Sequence, residues 1–437
     1  MNKRITGAVL AASLAAGLCM PAQAVSAAPG AAICMTTAAA MQRVASRVGT
    51  NSTSGTATGS TLEFADVESV VRANNTSIKS FDQTLAGVGA TDVGESYIMQ
   101  YADLDDQISS YQSQIKDLEK SIKKLQQDND DGQNSALIRT LSAQKASLES
   151  SLASVQRSYR DLSDNEDDAE EDLETTYNST ERQLGNAADQ IVMGAETSYI
   201  SLHTLDNTVD EIDRNIAAID RSIATVKAQI ALGAATQLDL QALQTQRESL
   251  TANRQTLITQ RQNLKNSLAI LCGYGTGETV EVGSLPEVTS SQIAAMDYDK
   301  DLATALKNSY SIWEKQDAVR QANDNYEDNK TNTMHAIEAA KIDLEAQKET
   351  VTNSFRQLFN SVKDKSALYD SAAASAAQEA KNFKVSEVQY ERGAISKNAY
   401  QDAKDKLAAA EQEQATAKIE LFTAYNTYKW ALRGVMS

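Results

Sequence analysis

Apolar residues recur along this chain at helical spacing, in long runs with few breaks. Leu104, Ile108, Tyr111, Ile115, Leu118, Ile122 and Leu125 alternate between steps of four and three, the a/d seam of a coiled coil. The turn-forming phrase DNDDGQN follows, and Leu141, Leu148, Leu152, Val155, Tyr159 and Leu162 then form a returning seam. Two facing seams joined by a short turn predict an antiparallel helical hairpin over 97–165. Upstream, TLEFADVESVVRANNTSIKSF starts a short amphipathic helix. Downstream, helix is expected from about Glu181 to Leu271, interrupted at Gly194 and Gly233, and from Tyr298 to Gly434, interrupted at Gly393. Between them GYGTGETVEVGSLPEV is non-helical, and its TVEV has the composition of a short strand.

Two phrases inside these runs raise a question: QIALGAATQLDL at Gln229 and QYERGAISKNAY at Gln389. A glycine within a helix costs about 1 kcal/mol against alanine. Just past a helix end, however, glycine adopts the left-handed conformation that closes the last turn. Ser or Thr three residues later is a good N-cap for a new helix. Gly233, Ala234 and Thr236, and likewise Gly393, Ala394 and Ser396, thus read as a stop and a restart. Asp239 at the third helical position after Thr236 makes a variant capping box, and Ala399 holds the corresponding place in the second phrase. Each phrase is a reversal between helices of about 35 to 45 residues, on the order of 50 to 65 Å long at 1.5 Å per residue.

The pairing extends further. LAILCG at Leu268 echoes KWALRG at Lys429, and VVRANNTSI at Val70 echoes ALKNSYSI at Ala305. The chain reads as two copies of one helical unit: the first over 61–275, enlarged by the coiled-coil hairpin, and the second over 297–437, joined by a Gly/Pro linker over 276–296.

Composition agrees. The 437 residues include only three prolines, Pro21, Pro29 and Pro286, and aromatics make up 5%. Proline breaks helix interiors, so long helices with thin seams are the economical architecture. The fold class expected is all-α, a tandem repeat of long antiparallel helical hairpins with little or no β-structure.

The formal net charge of −18 repels nucleic acid and anionic lipid. The start of the chain, a basic MNKR, an apolar stretch and PAQA ending at Ala24, is a secretory signal peptide over 1–24. An Ala/Ser/Thr-rich leader covers 25–60. The residues before Cys19 and Cys34 are large, which argues against a lipoprotein site. Cys272, in an apolar helix end, reads as a small buried hydrophobe. No later segment is apolar enough to span a membrane as a helix.

The chemistry of an enzyme is not apparent. His203 and His335 lack metal-ligand spacing, and no nucleophile motif or phosphate-binding loop is present. No catalytic, cofactor-binding or metal-binding residue is expected, and no cofactor. LFTAYNTYKW reads as packing of the terminal helix. The run DLSDNEDDAEEDLE, Asp161 to Glu174, lacks the ordered spacing of a calcium loop. It reads as a solvated junction with its acids near a helix N-terminus.

The order and duplication of these motifs resemble the TolC-like outer-membrane efflux family. There each repeat opens with a short helix ending in an Asn-rich phrase, as LEFADVESVVRANNTSI and YDKDLATALKNSYSI do here. Each repeat also holds a hairpin tip of the form Gly-x-x-Ser/Thr, matched by LGAATQLD and RGAISKNA. AILCG and GSLP resemble the end of repeat one and its linker. The resemblance covers roughly 62–434. It implies a homotrimeric helical duct in the cell envelope that carries cargo out of the cell. Its tips, Gly233, Ala234, Thr236, Asp239, Gly393, Ala394 and Ser396, would meet a periplasmic adaptor protein attached to an ABC-type or other pump. One departure stands out. The strands with which the family builds a membrane barrel have no counterpart, since a coiled-coil hairpin occupies their place in repeat one and YEDNKTNTMHAIEAAKIDLEAQKET runs helically through it in repeat two. A helical body without a barrel suits an envelope lacking an outer membrane. Two other readings stay open: a structural coiled-coil protein of the envelope, and a secreted interaction module.

Overall fold

The computed structural model describes residues 61–128, 132–275, 280–326 and 330–436. The signal segment 1–24 and the leader 25–60 lie outside them. The described residues form α1 (Phe64–Asn74), α2 (Thr76–Gly89), α3 (Ile98–Gln127), α4 (Ser135–Ala231), α5 (Gln237–Leu271), α6 (Ser290–Ala294), α7 (Tyr298–Asn308), α8 (Tyr310–Asp324), α9 (Thr331–Glu391) and α10 (Lys397–Leu432). The fold class is all-α, built on long antiparallel helical hairpins. Among the described residues the only β-pairing is one isolated parallel bridge, Leu62 with Val282. There the Leu62 N–H donates to the Glu281 carbonyl and the Gly283 N–H to the Leu62 carbonyl, both at 2.8 Å. The described part of the TVEV phrase, Val280 to Val282, therefore yields a bridge and not a strand.

Several boundaries differ from the sequence expectation. The opening helix is two helices, because Asn75 turns extended (ψ 127°) and its side chain caps α2 by accepting from the N–H groups of Ser77 and Ile78. Ser309 does the same between α7 and α8. Of the segment expected to run helically through YEDNK, the described Tyr326 and Lys330 lie outside helix, and α9 begins at Thr331. Gly194 does not interrupt anything: it lies inside α4, where the neighbouring Val192, Ala195 and Tyr199 are fully buried, and such packing offsets the propensity cost. The acidic run is not at a helix N-terminus either. The 97-residue α4 passes straight through it, because Leu162, Glu166, Ala169 and Leu173 keep a half-buried face at helical spacing. The hairpin return and the next long helix are thus one element, on the order of 145 Å long, and α9 has 61 residues. Both exceed the 35 to 45 expected, whereas α5 and α10, with 35 and 36 residues, meet it.

The α3–α4 pair is a hairpin with no fully buried residue in α3. Its seam is a row of half-buried Leu, Ile and Tyr side chains, with Tyr101 against Tyr159 at 5.0 Å between ring centroids and Lys145 bridging Glu119 and Glu149. The fully buried side chains gather elsewhere. One cluster joins Val67 and Val71 of α1 to Val192, Tyr199 and Leu202 of α4, Leu268 and Cys272 at the end of α5, and Phe422 and Trp430 of α10. Phe64 sits edge-on to Tyr199 and Phe422, with centroids 5.4 and 4.8 Å away. A second cluster joins Ala305 of α7, Phe355 and Val362 of α9, and Leu421, Tyr428 and Ala431 of α10.

A polar joint closes the first cluster. The buried Glu196 carboxylate accepts from Asn426 Nδ2 at 2.8 Å and Trp430 Nε1 at 2.7 Å, while burial pushes its pKa up. The Arg433 guanidinium lies 4.2 Å over the Trp430 ring and forks onto Glu68 at 2.9 and 2.6 Å. Arg72 pairs with the same Glu68 and with Asp189. The hydrogen bond from Arg433, aided by Arg72, holds the Glu68 pKa down to about 2 against the opposing effect of burial. The first helix, α4 and the end of the last helix are therefore tied by charge-assisted bonds.

Candidate functional site at the hairpin tips

Both Gly-x-x-Ser/Thr phrases are tight reversals. Gly233 has φ 75° and Gly393 φ 71°. In each, two bonds close the helix end: Gly233 N–H to the Ile230 carbonyl and Ala234 N–H to that of Gln229, and Gly393 N–H to Tyr390 with Ala394 N–H to Gln389. This is the Schellman pattern. Thr236 then starts α5, its hydroxyl accepting from Asp239 N–H while the Asp239 carboxylate accepts from Thr236 N–H, a full capping box. Those bonds from Thr236 also draw the Asp239 pKa down. Ser396 caps α10 by accepting from Ala399 N–H at 3.1 Å.

The same pattern recurs at the other ends of α5 and α10, in different surroundings. Gly273 has φ 77° and Gly434 φ 90°. A Cβ on Gly273 would lie 2.3 Å from the Asn74 carbonyl oxygen, and one on Gly434 2.1 Å from that of Asn308. Asn75 Nδ2 donates to the Leu271 carbonyl at 2.9 Å, and Asn308 Nδ2 to that of Leu432 at 2.7 Å. The tip glycines, by contrast, have nothing within 4 Å of a Cβ position. Leu232 and Leu238 flank the first tip at 84% and 72% exposure. Both tips thus combine locked backbone with open space, and the first adds bare apolar side chains where the second has Arg392 and Asn398.

A ladder that sequence reading passed over sets the register. Arg247, Arg254 and Arg261 of α5 fork onto Asp220, Asp213 and Asp206 of α4. The signal was present as two series at heptad spacing in facing helices. On the next face of α4, Asn207 bonds Thr416 and Arg214 bonds Gln412, and Arg221 pairs with Asp405, all in α10. The pairing numbers fall in α10 as they rise in α4, so those helices are antiparallel and both tips lie at one end. The two stripes on α4 differ by one residue, about 100° around the helix. The layer α5–α4–α10–α9 therefore bends at α4. Toward the tip, α9 and α10 meet through Ala372, Ala376 and Ala410 and through Tyr390 stacked on Tyr400 at 4.7 Å. Helix α5 packs on α4, and distal α9 on α10, leaving one open edge on each side. Exposed Ile342, Leu368, Val385 and Val388 punctuate α9.

His203 has a buried Nε2 with no hydrogen-bond partner, and burial pushes its pKa down. It packs on Tyr199 as a core imidazole. His335 stands on the exposed surface of α9. Burial pushes the Cys272 thiol up to about 12, leaving it inert. Among the described residues no three His, Cys, Asp or Glu are grouped to hold a metal ion, and no helix is long and apolar enough to cross a membrane.

No protein-family model matches the chain, and no curated protein matches it. Among solved structures it is similar to CusC, with 16% identity over 74% of this chain and 96% of that one and a TM-score of 0.45. It is also similar to the Vibrio cholerae outer membrane protein VceC (13%, 61% and 75%, TM-score 0.42). The Campylobacter jejuni CmeC outer membrane channel is a third (14%, 62% and 68%, TM-score 0.40).

Proposed function

We propose that this chain is the wall unit of a TolC-like helical efflux or secretion duct, built without a membrane barrel. One observation carries the proposal: a bent, four-helix antiparallel layer with two open edges and both reversals at one end. Its edge helices α5 and α9 run in opposite directions, so the α9 edge of one copy meets the α5 edge of the next as another antiparallel pair. Such a head-to-tail contact closes into a ring when the bend matches the rotation, and the sequence resemblance names a trimer. The tips around Gly233, Thr236, Asp239, Gly393 and Ser396 would then dock an adaptor protein attached to an export pump, placing the chain in the cell envelope after export through its signal peptide.

The test is the mass of the purified chain lacking residues 1–24, by light scattering, with and without a periplasmic-type adaptor protein from the same organism. A trimer whose assembly is lost when Leu368 and Val385 become Asp supports the duct. A strict monomer that ignores the adaptor refutes it.

A further inference from the structure

The end of the body away from the tips carries an unusual surface. There α3 leaves the loop after α2 and begins the coiled-coil hairpin. Ile98 and Met99, in its first turn, are 64% and 83% exposed, off the α3 seam, which here is carried by the half-buried Tyr97 and Tyr101. They are held in place, because Tyr97 Oη donates to the Asn165 carbonyl at 3.2 Å and Tyr101 Oη to Glu166 Oε2 at 2.6 Å. Every charged residue from Ala90 to Ile115 and from Asp161 to Glu181 is acidic. All of them except Glu166 are exposed, and among the described residues none makes an ion pair. Carboxylates four apart on α4, such as Asp164 and Asp168, or Asp167 and Glu171, oppose the helix they sit on. Two bare apolar side chains are thus flanked by an unneutralised acidic collar, with Asp92 and Glu95 before them, Asp103 after them and the acids of α4 brought alongside by the Tyr97 and Tyr101 contacts.

We propose that this collar is a docking surface for a basic amphipathic helix of a partner protein, whose apolar face covers Ile98 and Met99 while its Lys and Arg side chains face the carboxylates. Charge complementarity selects this occupant. An anionic lipid surface is repelled by the collar. A second copy bringing the same face would set acid against acid. A small cation would leave the apolar pair uncovered and finds no grouped ligands here. The inference does not depend on the duct: it concerns the opposite end of the body and stands or falls on a different measurement.

The experiment is titration of the purified full chain with a synthetic 18-residue Lys/Leu peptide patterned for one apolar helical face, followed by anisotropy of a label on the peptide. The comparison peptide has the same composition in scrambled order. The expected result is at least tenfold tighter binding of the patterned peptide at 0.15 M salt, in the range where surface charge is screened beyond about 8 Å. Replacing Ile98 and Met99 together by Ser should bring the patterned peptide down to the scrambled level, whereas Leu137→Ser, an exposed apolar residue near the start of α4, should leave it unchanged. Both Ser variants alter exposed side chains, and circular dichroism checks that helicity is kept. Equal binding of the two peptides, or patterned binding indifferent to the Ile98/Met99 change, overturns the proposal. So does equal weakening by Leu137→Ser.

Discussion

Replacing glycine by alanine at four positions separates two physical costs that usually arrive together. Gly233, Gly393, Gly273 and Gly434 all end helices in the left-handed region, with φ between 71° and 90°. Alanine in that conformation costs about 1 to 2 kcal/mol. At the tips nothing else is touched, so Gly233→Ala and Gly393→Ala should each cost about that much. At Gly434 the new methyl would lie 2.1 Å from the Asn308 carbonyl oxygen and 2.8 Å from the Ser309 nitrogen, both backbone atoms that cannot swing away. The α7–α8 junction must shift, straining the Asn308 bond to the Leu432 carbonyl, a contribution of about 1 kcal/mol. Dispersal of the surrounding contacts adds about as much again. Gly434→Ala and Gly273→Ala should therefore lose about 3 to 4 kcal/mol, roughly twice the tip variants. Urea unfolding followed by circular dichroism measures the difference. If the tip variants lose as much as the base variants, the steric part of the reasoning is wrong. If none loses stability, the left-handed assignment falls too.

Three further outcomes are expected. Changing Arg247, Arg254 and Arg261 together to Ala should lower stability only modestly, since exposed ion pairs are weak, but should loosen the α4–α5 pairing; hydrogen exchange should rise in 205–262 and not in 365–420, and equal rises would contradict the ladder's local role. Trp430→Phe leaves the buried Glu196 with a single donor and should cost about 1 to 3 kcal/mol; a neutral variant would show that water or another donor replaces the indole. Glu68→Gln should cost about 1 kcal/mol at pH 7. The folded Glu68 pKa, about 2, lies below its ordinary value, so its stabilisation is complete above pH 4.5 and is lost as pH falls toward 2. The gap between Glu68→Gln and the parent chain should therefore close on acidification, and a gap constant down to pH 2 would refute the assignment.

Much of the candidate site was legible because its signals are local. A glycine that must go left-handed, a hydroxyl that must cap and an acid three residues on are all written within seven residues. The same local logic misplaced Gly194 and the acidic run. In both places a breaker-like composition coincided with a face that packs: Val192, Ala195 and Tyr199 around the glycine, and Leu162, Ala169 and Leu173 within the acids. Propensity costs of about 1 kcal/mol yield to such burial. The reverse error, helix drawn through Asn75 and Ser309, arose because an internal cap gains its partners from elsewhere. Asn75 holds the Leu271 carbonyl, 196 positions along the chain.

Periodicity and composition by themselves determined an all-helical chain, the two reversals with their caps and the coiled-coil hairpin, since each depends on contacts within a few turns or across one tight turn. Only the tertiary structure decided which helices are neighbours. The heptad series of Arg and Asp could have paired in several registers, and the Asn207–Thr416 and Arg221–Asp405 contacts join residues about 200 apart. Placing two stripes about 100° apart on α4 bent the layer, left α5 and α9 as open edges and put both tips at one end. The acidic collar likewise became a surface only once α3 and α4 were set side by side, because carboxylates 60 residues apart in sequence can act together only where a fold keeps them from separating.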